Sequence, residues 1–193
     1  GKNVTLSSNV IQVEVNPETG GIRFSDKEGK LLLTDKDYGT QFTPFDDAGV
    51  PSYNVRQAFF LGKDEVIYGL GQQQTGKVNQ RNQKLFLRNQ NMSICIPFIH
   101  SIKGYALYWD NYSPTTFVDN PQEMSFDSEV GDCADYYFIY GGNADKVIAN
   151  VRELTGQAPL YPLWALGFWQ CRERYKSPDE LCEVVDKYRK LKV

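Results

Sequence analysis

The start of the chain shows the two-residue alternation of apolar and polar side chains that is typical of β-strands. Residues 11–15 alternate in this way, and the Asn/Pro/Gly-containing turn at 16–21 leads into a second alternating segment at 22–25. A further turn at 26–29 directs the chain into an apolar segment at 31–34. Three short strands joined by tight turns predict a β-meander.

Eight later segments also have the length and composition of strands: Asn54–Leu61, Val66–Leu70, Lys84–Leu87, Ser93–Ser101, Tyr105–Asp110, Thr115–Val118, Met124–Val130 and Asp135–Tyr140. Residues 124–130 alternate cleanly, whereas 135–140 are almost continuously apolar, which predicts burial on both faces. Short strands at regular spacing, separated by turn signals, predict an antiparallel β-sandwich.

The segment 71–83 differs from its surroundings because it is rich in glutamine and asparagine and is long for a connection between strands. Such a segment is either an ordered functional loop or a mobile connection. The Gly-x-Gly at 69–71 does not indicate a phosphate-binding loop, because the third glycine and the following helix are missing.

A helix follows the predicted strands. Asn143 is placed to cap it, apolar side chains recur at helical spacing on one face, and Thr155–Gly156 ends it. The next seven residues, 157–163, contain two prolines and predict a linker. The chain is therefore expected to contain a first domain, 1–156, and a second segment, 164–193.

The second segment begins with an apolar run of strand length, Trp164–Gln170, followed by a polar and aromatic cluster. Ser177 and Glu180 form a capping box with Pro178 at the first helical position, which predicts a helix. Its expected buried stripe is Leu181, Val184, Val185, Tyr188 and Leu191. One strand and one helix cannot close a parallel sheet, so we expect the chain to be the front part of a larger protein.

Charge and composition exclude several classes of protein. Hydrophobic residues make up 41% and charged residues 23% of the chain, which is ordinary for a soluble globular protein. The net charge of −3 is spread along the sequence, so neither a nucleic acid nor an anionic membrane is an expected partner. No apolar run reaches the length of a membrane span.

Histidine and cysteine limit the possible chemistry. The single histidine, His100, lies in an apolar run and is expected to be a hydrogen-bonded structural residue. A histidine-rich zinc site is therefore not expected. The four cysteines, Cys95, Cys133, Cys171 and Cys182, include no Cys-x-x-Cys pair. They are expected to be buried or half-buried thiols, with a disulfide framework or a metal site as the alternative.

An ordered series of motifs resembles the N-terminal part of glycoside hydrolase family 31, which includes α-glucosidases and α-xylosidases. The motifs are Val66–Gln72, Ile96–Phe98, Lys103–Tyr105, Trp109–Asn111, Gly156–Pro159, and Trp164–Gln170 with Arg172 and Tyr175. The resemblance covers residues 10–193, and the segment 167–175 is most similar to bacterial α-xylosidase-like members, for which an extracytoplasmic location is favoured.

The resemblance implies a mainly β fold: an antiparallel, galactose-mutarotase-like β-sandwich followed by a short α/β remnant of a (β/α)8 barrel. Trp164–Gln170 would be the first barrel strand. The implied activity is hydrolysis of an α-linked xyloside or glucoside with retention, and it requires no cofactor. Both catalytic aspartates of the family lie on later barrel strands, so no catalytic residue is expected before Val193. The implied partner of the chain is the rest of the barrel.

The resemblance also implies where the carbohydrate substrate binds. The C-terminal end of a barrel strand faces the active site, and a loop of the sandwich contributes to the same pocket. The implied substrate-binding residues are Trp169, Arg172, Glu173, Arg174, Asn89 and Gln90. An aromatic face and a guanidinium group are suited to a pyranose ring and its hydroxyls. In the alternative interpretation, Trp169 and Arg172 serve barrel packing and an interdomain ion pair.

Three other interpretations of the chain stay open. It could be an independent carbohydrate-binding sandwich. It could be a structural domain that only supports a barrel, which predicts an exposed apolar patch at Phe168 and the last helix. A mutarotase-like enzyme is disfavoured by the single histidine. For these residues alone the supporting role is favoured, without catalysis.

Overall fold

The computed structural model describes residues 2–192, so the predicted domain ends Gly1 and Val193 lie outside the described residues. The chain divides into two compact units, Gly1–Gln157 and Ala158–Val193. Strands and one helix make up the first unit, and the described part of the second contains two helical segments.

The strands of the first unit are β1 (Val4–Ser7), β2 (Ile11–Val15), β3 (Ile22–Asp26), β4 (Leu31–Asp35), β5 (Gln41–Asp47), β6 (Val50–Phe60), β7 (Ile67–Gly69), β8 (Lys84–Leu87), β9 (Phe98–Ser101), β10 (Tyr105–Trp109), β11 (Thr115–Asn120), β12 (Glu123–Gly131) and β13 (Tyr136–Tyr140). The predicted β-meander is confirmed, because β2, β3 and β4 pair in sequence order.

Two antiparallel sheets are formed. The larger has the order β1-β2-β3-β4-β6-β12-β11-β8, with β5 paired to β6, and the smaller has the order β13-β10-β9-β7. Because β6, β12, β11 and β8 are antiparallel neighbours, the end of β6, the start of β12, the end of β11 and the start of β8 lie at one edge. The predicted fold class is confirmed.

Large aromatic side chains form the core that both sheets share. Phe24 of the large sheet stacks on Phe138 of the small sheet with ring centroids 4.1 Å apart. Trp109 is fully buried, lies 5.8 Å from the ring of Phe126 and donates from Nε1 to Ser128 Oγ at 2.8 Å. The polar end of the indole is thereby satisfied while its ring excludes water.

The helix α1 (Ala144–Thr155) closes the first unit, as the sequence predicts. The side chain of Asn143 accepts a hydrogen bond from the N–H of Lys146 at 3.0 Å and caps the helix. Val147 is fully buried and packs with Ala106 and Ile139 of the small sheet.

The second unit differs from the prediction at its start. No strand is formed over Trp164–Gln170 in the described part of this unit; Leu163–Leu166 makes one 3-10 turn, and irregular chain leads to α2 (Pro178–Leu191). A parallel strand exists only when neighbouring strands satisfy its N–H and C=O groups, and no neighbour is present within 158–192. The capping box is confirmed, with Glu180 N donating to Ser177 Oγ at 3.2 Å.

The predicted buried stripe of α2 is wrong for the chain as it stands. Leu181, Val185 and Leu191 are 44%, 48% and 62% exposed. An amphipathic face is buried only against another layer. Here the face contacts the preceding irregular segment: the ring of Phe168 lies 5.4 Å from that of Tyr188, and Tyr188 OH donates to Gln170 Oε1 at 2.7 Å. Phe168 itself is 69% exposed, so the apolar patch expected of a supporting domain is present.

Four other expectations need correction. The strands β1 and β5 were not predicted, and the strand expected from Ser93 begins only at Phe98. Burial on both faces of β13 is also wrong, since Tyr137 is 37% exposed. The reason is that α1 covers Ile139 on the outer face of β13 but leaves Tyr137, on the same face, open to solvent.

All four cysteines are free thiols. Only Cys95 is half-buried; Cys133, Cys171 and Cys182 are exposed, so the expected burial is wrong for three of them. Among residues 2–192, no helix combines the length and the hydrophobicity that crossing a bilayer requires.

Candidate functional site

The glutamine-rich segment 71–83 is anchored to the sandwich at both ends. Gln72 forms an isolated β-bridge with Ile94, and Gln73 Nε2 donates to the carbonyls of Leu70 and Ile94 at 3.1 and 3.3 Å. At the other end, Gln80 is buried and its N–H donates to Ile67 O at 2.9 Å. The segment is therefore an ordered loop, and the loop after β8 packs against it.

Asn89 and Gln90, the two substrate-binding residues expected on the sandwich, lie together in the loop after β8. Asn89 Oδ1 accepts a hydrogen bond from Cys95 N at 2.8 Å and closes the loop. Gln90 and Ser93 exchange backbone hydrogen bonds of 3.2 and 3.1 Å, with Met92 between them at φ 70°. The Gln90 side chain is exposed and has no hydrogen-bond partner within residues 2–192.

A cavity of about 350 Å³ opens beside Asn89. Arg88, Tyr108, Asp110 and Tyr112 are among its lining residues, and they come from the ends of β8 and β10. Burial, together with the nearby Asp110 carboxylate, raises the pKa of Tyr108, so its hydroxyl stays protonated and able to donate. The sequence interpretation placed Arg88 near the substrate pocket by resemblance but missed Tyr108, Asp110 and Tyr112, although two tyrosines flanking an acidic residue at the end of a predicted strand are a usable signal.

Arg172 is fixed by the first turn of α2. Its guanidinium contacts Glu180 Oε1 at 2.8 Å and lies over the ring of Tyr175, 5.3 Å from the centroid. Glu180 Oε2 accepts from Lys176 N at 2.7 Å, and this hydrogen bond, followed by those of Arg172, lowers the pKa of Glu180. In the sequence, Glu180 was identified only as part of the capping box. An arginine eight residues earlier, Arg172, was a possible ion-pair partner for it.

The other three expected residues of the second unit are exposed. Trp169 is 67% exposed, its Nε1 donates to Ala165 O at 2.8 Å, and its ring lies 6.3 Å from that of Trp164. Glu173 and Arg174 form a 4.0 Å ion pair with side chains 84% and 76% exposed. The structure thus places Trp169, Arg172, Glu173 and Arg174 on one short irregular segment.

The first unit also contains a buried ionic cluster around Glu65. Glu65 Oε1 accepts from Ser101 Oγ and from Tyr105 OH, each at 2.5 Å. Its Oε2 accepts from Lys103 Nζ at 2.8 Å and from Gly62 N at 2.9 Å. Burial alone would raise the pKa of Glu65, but these four hydrogen bonds outweigh it and lower the pKa. Each oxygen of the Glu65 carboxylate accepts from two protein donors. This arrangement is typical of a buried charge with a structural role.

His100 was expected to be a fully hydrogen-bonded structural residue. In the structure its Nε2 is buried and has no hydrogen-bond partner among the described residues. Burial lowers the pKa of the imidazole, so the ring is neutral at pH 7. Across residues 2–192, no group of three or more His, Cys, Asp or Glu side chains is arranged to hold a metal ion.

Comparison with known proteins places both units in one family. Residues 1–119 match the glycosyl hydrolase 31 N-terminal galactose mutarotase-like domain, and residues 158–193 match the family 31 TIM-barrel domain. The fold and these matches define a glycoside hydrolase sandwich followed by the start of a barrel. The chain belongs to glycoside hydrolase family 31.

Among its curated relatives is an α-xylosidase of Saccharolobus solfataricus, 37% identical over 98% of this chain and 27% of that protein. Another is an α-glucosidase of Bacillus thermoamyloliquefaciens, 27% identical over 96% of this chain and 24% of that protein. The chain therefore spans about a quarter of the length of these relatives.

Solved structures show the same architecture. A family 31 α-xylosidase from a soil metagenome, complexed with xylose, superposes with a TM-score of 0.82 at 26% identity, covering all of this chain and 31% of that chain. The α-xylosidase of Xanthomonas citri gives a TM-score of 0.83 at 22% identity, covering all of this chain and 37% of that one. The second likeness shows the fold alone.

Proposed function

We propose that the chain is part of a retaining α-glycosidase that hydrolyses α-linked xylosides or glucosides. Residues 1–156 would be a supporting sandwich domain, 157–163 a linker and 164–193 the start of the catalytic barrel. The observation that carries the proposal is the order of the two family matches, sandwich first and barrel second, on one chain. An α-xylosidase and an α-glucosidase among the relatives support the substrate class.

The chemistry assigns the catalytic groups to another part of the protein. A retaining glycosidase needs two carboxyl groups about 5 to 5.5 Å apart, one as nucleophile and one as acid/base. The buried carboxyls Asp35, Glu65 and Asp119 do not fit these roles, because each is held within the sandwich by protein hydrogen-bond donors. We therefore propose that the 193 residues alone are inactive and that no cofactor takes part in the reaction.

We further propose that the exposed residues of the second unit contact the sugar. Trp169 is 67% exposed, although its N–H is bonded and its ring lies 6.3 Å from that of Trp164, so part of the ring surface is available for stacking. The ion pair with Glu180 orients Arg172 while leaving its side chain 45% exposed, so further donors stay available for hydroxyl groups. Glu173 and Arg174 would add polar contacts.

On the sandwich, Asn89 and Gln90 are proposed to contact substrate. The structure supports different parts for them. Asn89 uses its carbonyl oxygen to hold the loop, which leaves its amide N–H₂ as the donor. The side-chain amide of Gln90 makes no hydrogen bond within the described residues, so its donor and acceptor groups are both available.

A direct assay tests the catalytic proposal. The purified 193-residue chain and the full-length product of its gene are each incubated with aryl α-xylosides and α-glucosides, and the first product anomer is followed by NMR. We expect no turnover by the chain, and release of the α-anomer by the full-length protein. Turnover that co-purifies with the chain would contradict the assignment of the catalytic groups, and release of the β-anomer would contradict retention.

A second candidate function is carbohydrate binding by the sandwich without catalysis. The cavity beside Asn89, with Tyr108 and Tyr112 in its lining, is the observation that favours it. Calorimetric titration of the chain and of Tyr112→Ala with xylose- and glucose-containing oligosaccharides distinguishes the two, because binding at this cavity is weakened by the substitution, whereas a supporting domain shows no binding that depends on Tyr112.

A further inference from the structure

A second polar cavity, of about 320 Å³, lies at the opposite end of β8 and β11 from Asn89. It lies beside the strand ends at one side of the large sheet, where β6 and β11 end and where β8 and β12 begin. Thr115 lines the cavity beside Asn89 and Asp119 lines this one. The four residue steps between them span about 14 Å at strand spacing, so the two cavities are separate.

One wall of this cavity is held by Arg81, at the end of the glutamine-rich loop. Arg81 Nε donates to Asp119 Oδ2 at 2.8 Å, and its Nη1 donates to the carbonyls of Gly62 and Glu65 at 2.9 and 2.5 Å. The N–H of Asn82 adds a 2.6 Å hydrogen bond to the same Asp119 oxygen. The Asp119 side chain is only 1% exposed. These hydrogen bonds are therefore inside the protein and hold the wall of the cavity in place.

The opposite wall is the turn between β11 and β12. Asn120 Oδ1 accepts from the N–H groups of Gln122 and Glu123 at 2.8 and 3.1 Å, which locks the turn. Glu123 is in turn paired with Lys36 at 2.6 Å and with Arg56. Both walls are therefore preorganised before any ligand binds.

The lining groups that make no hydrogen bonds within the protein are of the kinds that bind sugars. Phe60 at the end of β6 is 45% exposed and lines the cavity. The side-chain amides of Asn82 and Gln122 and the Asn120 N–H₂ have no hydrogen-bond partners within residues 2–192. An amide offers both donors and an acceptor, as a hydroxyl does, and an aromatic face suits the C–H face of a pyranose.

Charge argues for a neutral ligand. The charged lining residues are two cations, Lys63 and Arg81, and two anions, Asp119 and Glu123, so their formal charges cancel. Arg81 is also committed to Asp119 and to two carbonyls. Among the described lining residues, an anion would find Lys63 as the single uncommitted cation.

We propose that this cavity is a non-catalytic binding site for one neutral pyranose unit of an oligosaccharide. Phe60 stacks on the ring, and the amides of Asn82, Asn120 and Gln122 bind its hydroxyls. The site requires neither the barrel nor the catalytic aspartates, so it stands or falls independently of the proposed hydrolysis. In the whole enzyme it would hold a substrate chain on the sandwich.

The test is a ¹⁵N-¹H NMR titration of the 193-residue chain with maltotriose, with xylose and with inorganic phosphate. We expect saturable shifts of the backbone N–H signals of 60–63, 82, 119, 120, 122 and 123 with maltotriose; Pro121 has no such signal. Phe60→Ala and Gln122→Ala should each weaken binding by roughly tenfold. Phe45→Ala is the matched control, because Phe45 is 39% exposed on β5 and is expected to leave affinity unchanged.

Three results would overturn the proposal: no shifts at saturating maltotriose in a folded sample, shifts confined to 88–95 and 108–115, or shifts with phosphate but not with sugar. Equal responses to xylose and maltotriose would support a single-unit site, and a stronger response to maltotriose would support an oligosaccharide site. Gln122 lies in an exposed turn and its side chain has no hydrogen bond within residues 2–192, so Gln122→Ala keeps the test valid if Phe60→Ala fails to fold.

Discussion

The phenol of Tyr136 joins the two sheets by donating to the carboxylate of Asp35, with distances of 3.0 Å to Oδ2 and 3.2 Å to Oδ1. Asp35 lies in β4 of the large sheet and Tyr136 in β13 of the small sheet. Gln57 Nε2 donates to the same Oδ2 at 3.1 Å. Burial raises the pKa of Asp35 to about 7, although the hydrogen bond from Tyr136 acts in the other direction.

This relationship predicts a pH dependence of stability. The pKa of Asp35 is about 7 in the folded chain against an ordinary 3.8, so the folded state holds its proton to higher pH than the unfolded state does. Its contribution to the free energy of unfolding therefore falls as pH rises through that window. A tenfold difference in proton affinity between the two states corresponds to about 1.4 kcal/mol, so we expect an effect of a few kcal/mol between pH 5 and pH 8.

Urea unfolding of the chain and of Asp35→Asn at the two pH values measures this effect. The free energy of unfolding of Asp35→Asn should fall less between pH 5 and pH 8 than that of the unmodified chain. Asp47→Asn, at an exposed carboxyl of β5, is the control and should follow the unmodified chain. An Asp35→Asn variant with the same decline as the unmodified chain would show that Asp35 does not titrate in this range.

The ion pair between buried Glu65 and half-buried Lys103 predicts a large cost of removing one partner. Glu65→Gln replaces an acceptor oxygen by an N–H₂ group that faces existing donors, and it leaves Lys103 unpaired. We expect a loss of about 3–5 kcal/mol in the free energy of unfolding. Because the pKa of Glu65 is lowered, its stabilisation is present above its ordinary value of 4.5 and is lost as pH falls through the folded pKa.

Glu28→Gln is the matched control, since Glu28 pairs with Lys27 at 3.7 Å on the surface with side chains 67% and 64% exposed. That change should cost less than about 1 kcal/mol. Adding Lys103→Met to Glu65→Gln should recover part of the loss, because no uncompensated charge then stays buried. A double variant that is additive would argue against a coupled pair.

The glutamine-rich loop depends on a glycine at its first residue. Gly71 has φ 83°, and a Cβ atom there would meet the carbonyl of Ile94 and lie 2.8 Å from Ile96 N. Gly71→Ala therefore forces the loop away from the backbone that it bridges. Gly76, in the same loop, has φ 68° but open space around it.

We expect Gly71→Ala to destabilise the chain by at least about 2 kcal/mol more than Gly76→Ala, measured by thermal and urea unfolding. Hydrogen exchange should also become faster at Gln72 and Ile94, whose N–H groups donate across the bridge. Equal costs for both variants would mean that the bridge contributes nothing.

Trp169 and Trp164 offer a comparison within one segment. Both rings are largely exposed, 67% and 72%, and only Trp169 is proposed to contact sugar. In the full-length protein, Trp169→Ala should lower kcat/KM for aryl α-xylosides by roughly 10- to 100-fold, whereas Trp164→Ala changes it less than about threefold. Equal losses for the two variants, matched by equal losses of stability, would favour the packing interpretation of Trp169.

Much of the sandwich is predictable because its signals are local. The alternation at β12 and the turns around β2 to β4 need no knowledge of distant residues. The strand β5 escaped notice because Pro44 interrupts it and because all seven residues are exposed, so no alternation marks it. Its existence depends on pairing with β6, which is a tertiary contact.

In the second unit, local sequence signals predict only part of the structure. The capping box of α2 is local and forms as predicted, but the strand at 164–170 needs partners that the described residues of this unit do not provide. Arg172 was identified as a candidate site residue by resemblance, whereas its contact with Glu180 follows from the fold of the irregular segment. Local signals therefore predict the helix, and tertiary partners decide the site.

The free thiols are natural attachment sites for fluorescent labels. Cys133 is exposed on the first unit, and Cys171 and Cys182 are exposed on the second. Burial raises the pKa of the Cys95 thiol, so maleimide reagents should modify the other three first. Keeping Cys133 and either Cys171 or Cys182 permits a fluorescent donor and acceptor to be attached, one on each unit, and energy transfer between them would measure the distance between the two labels.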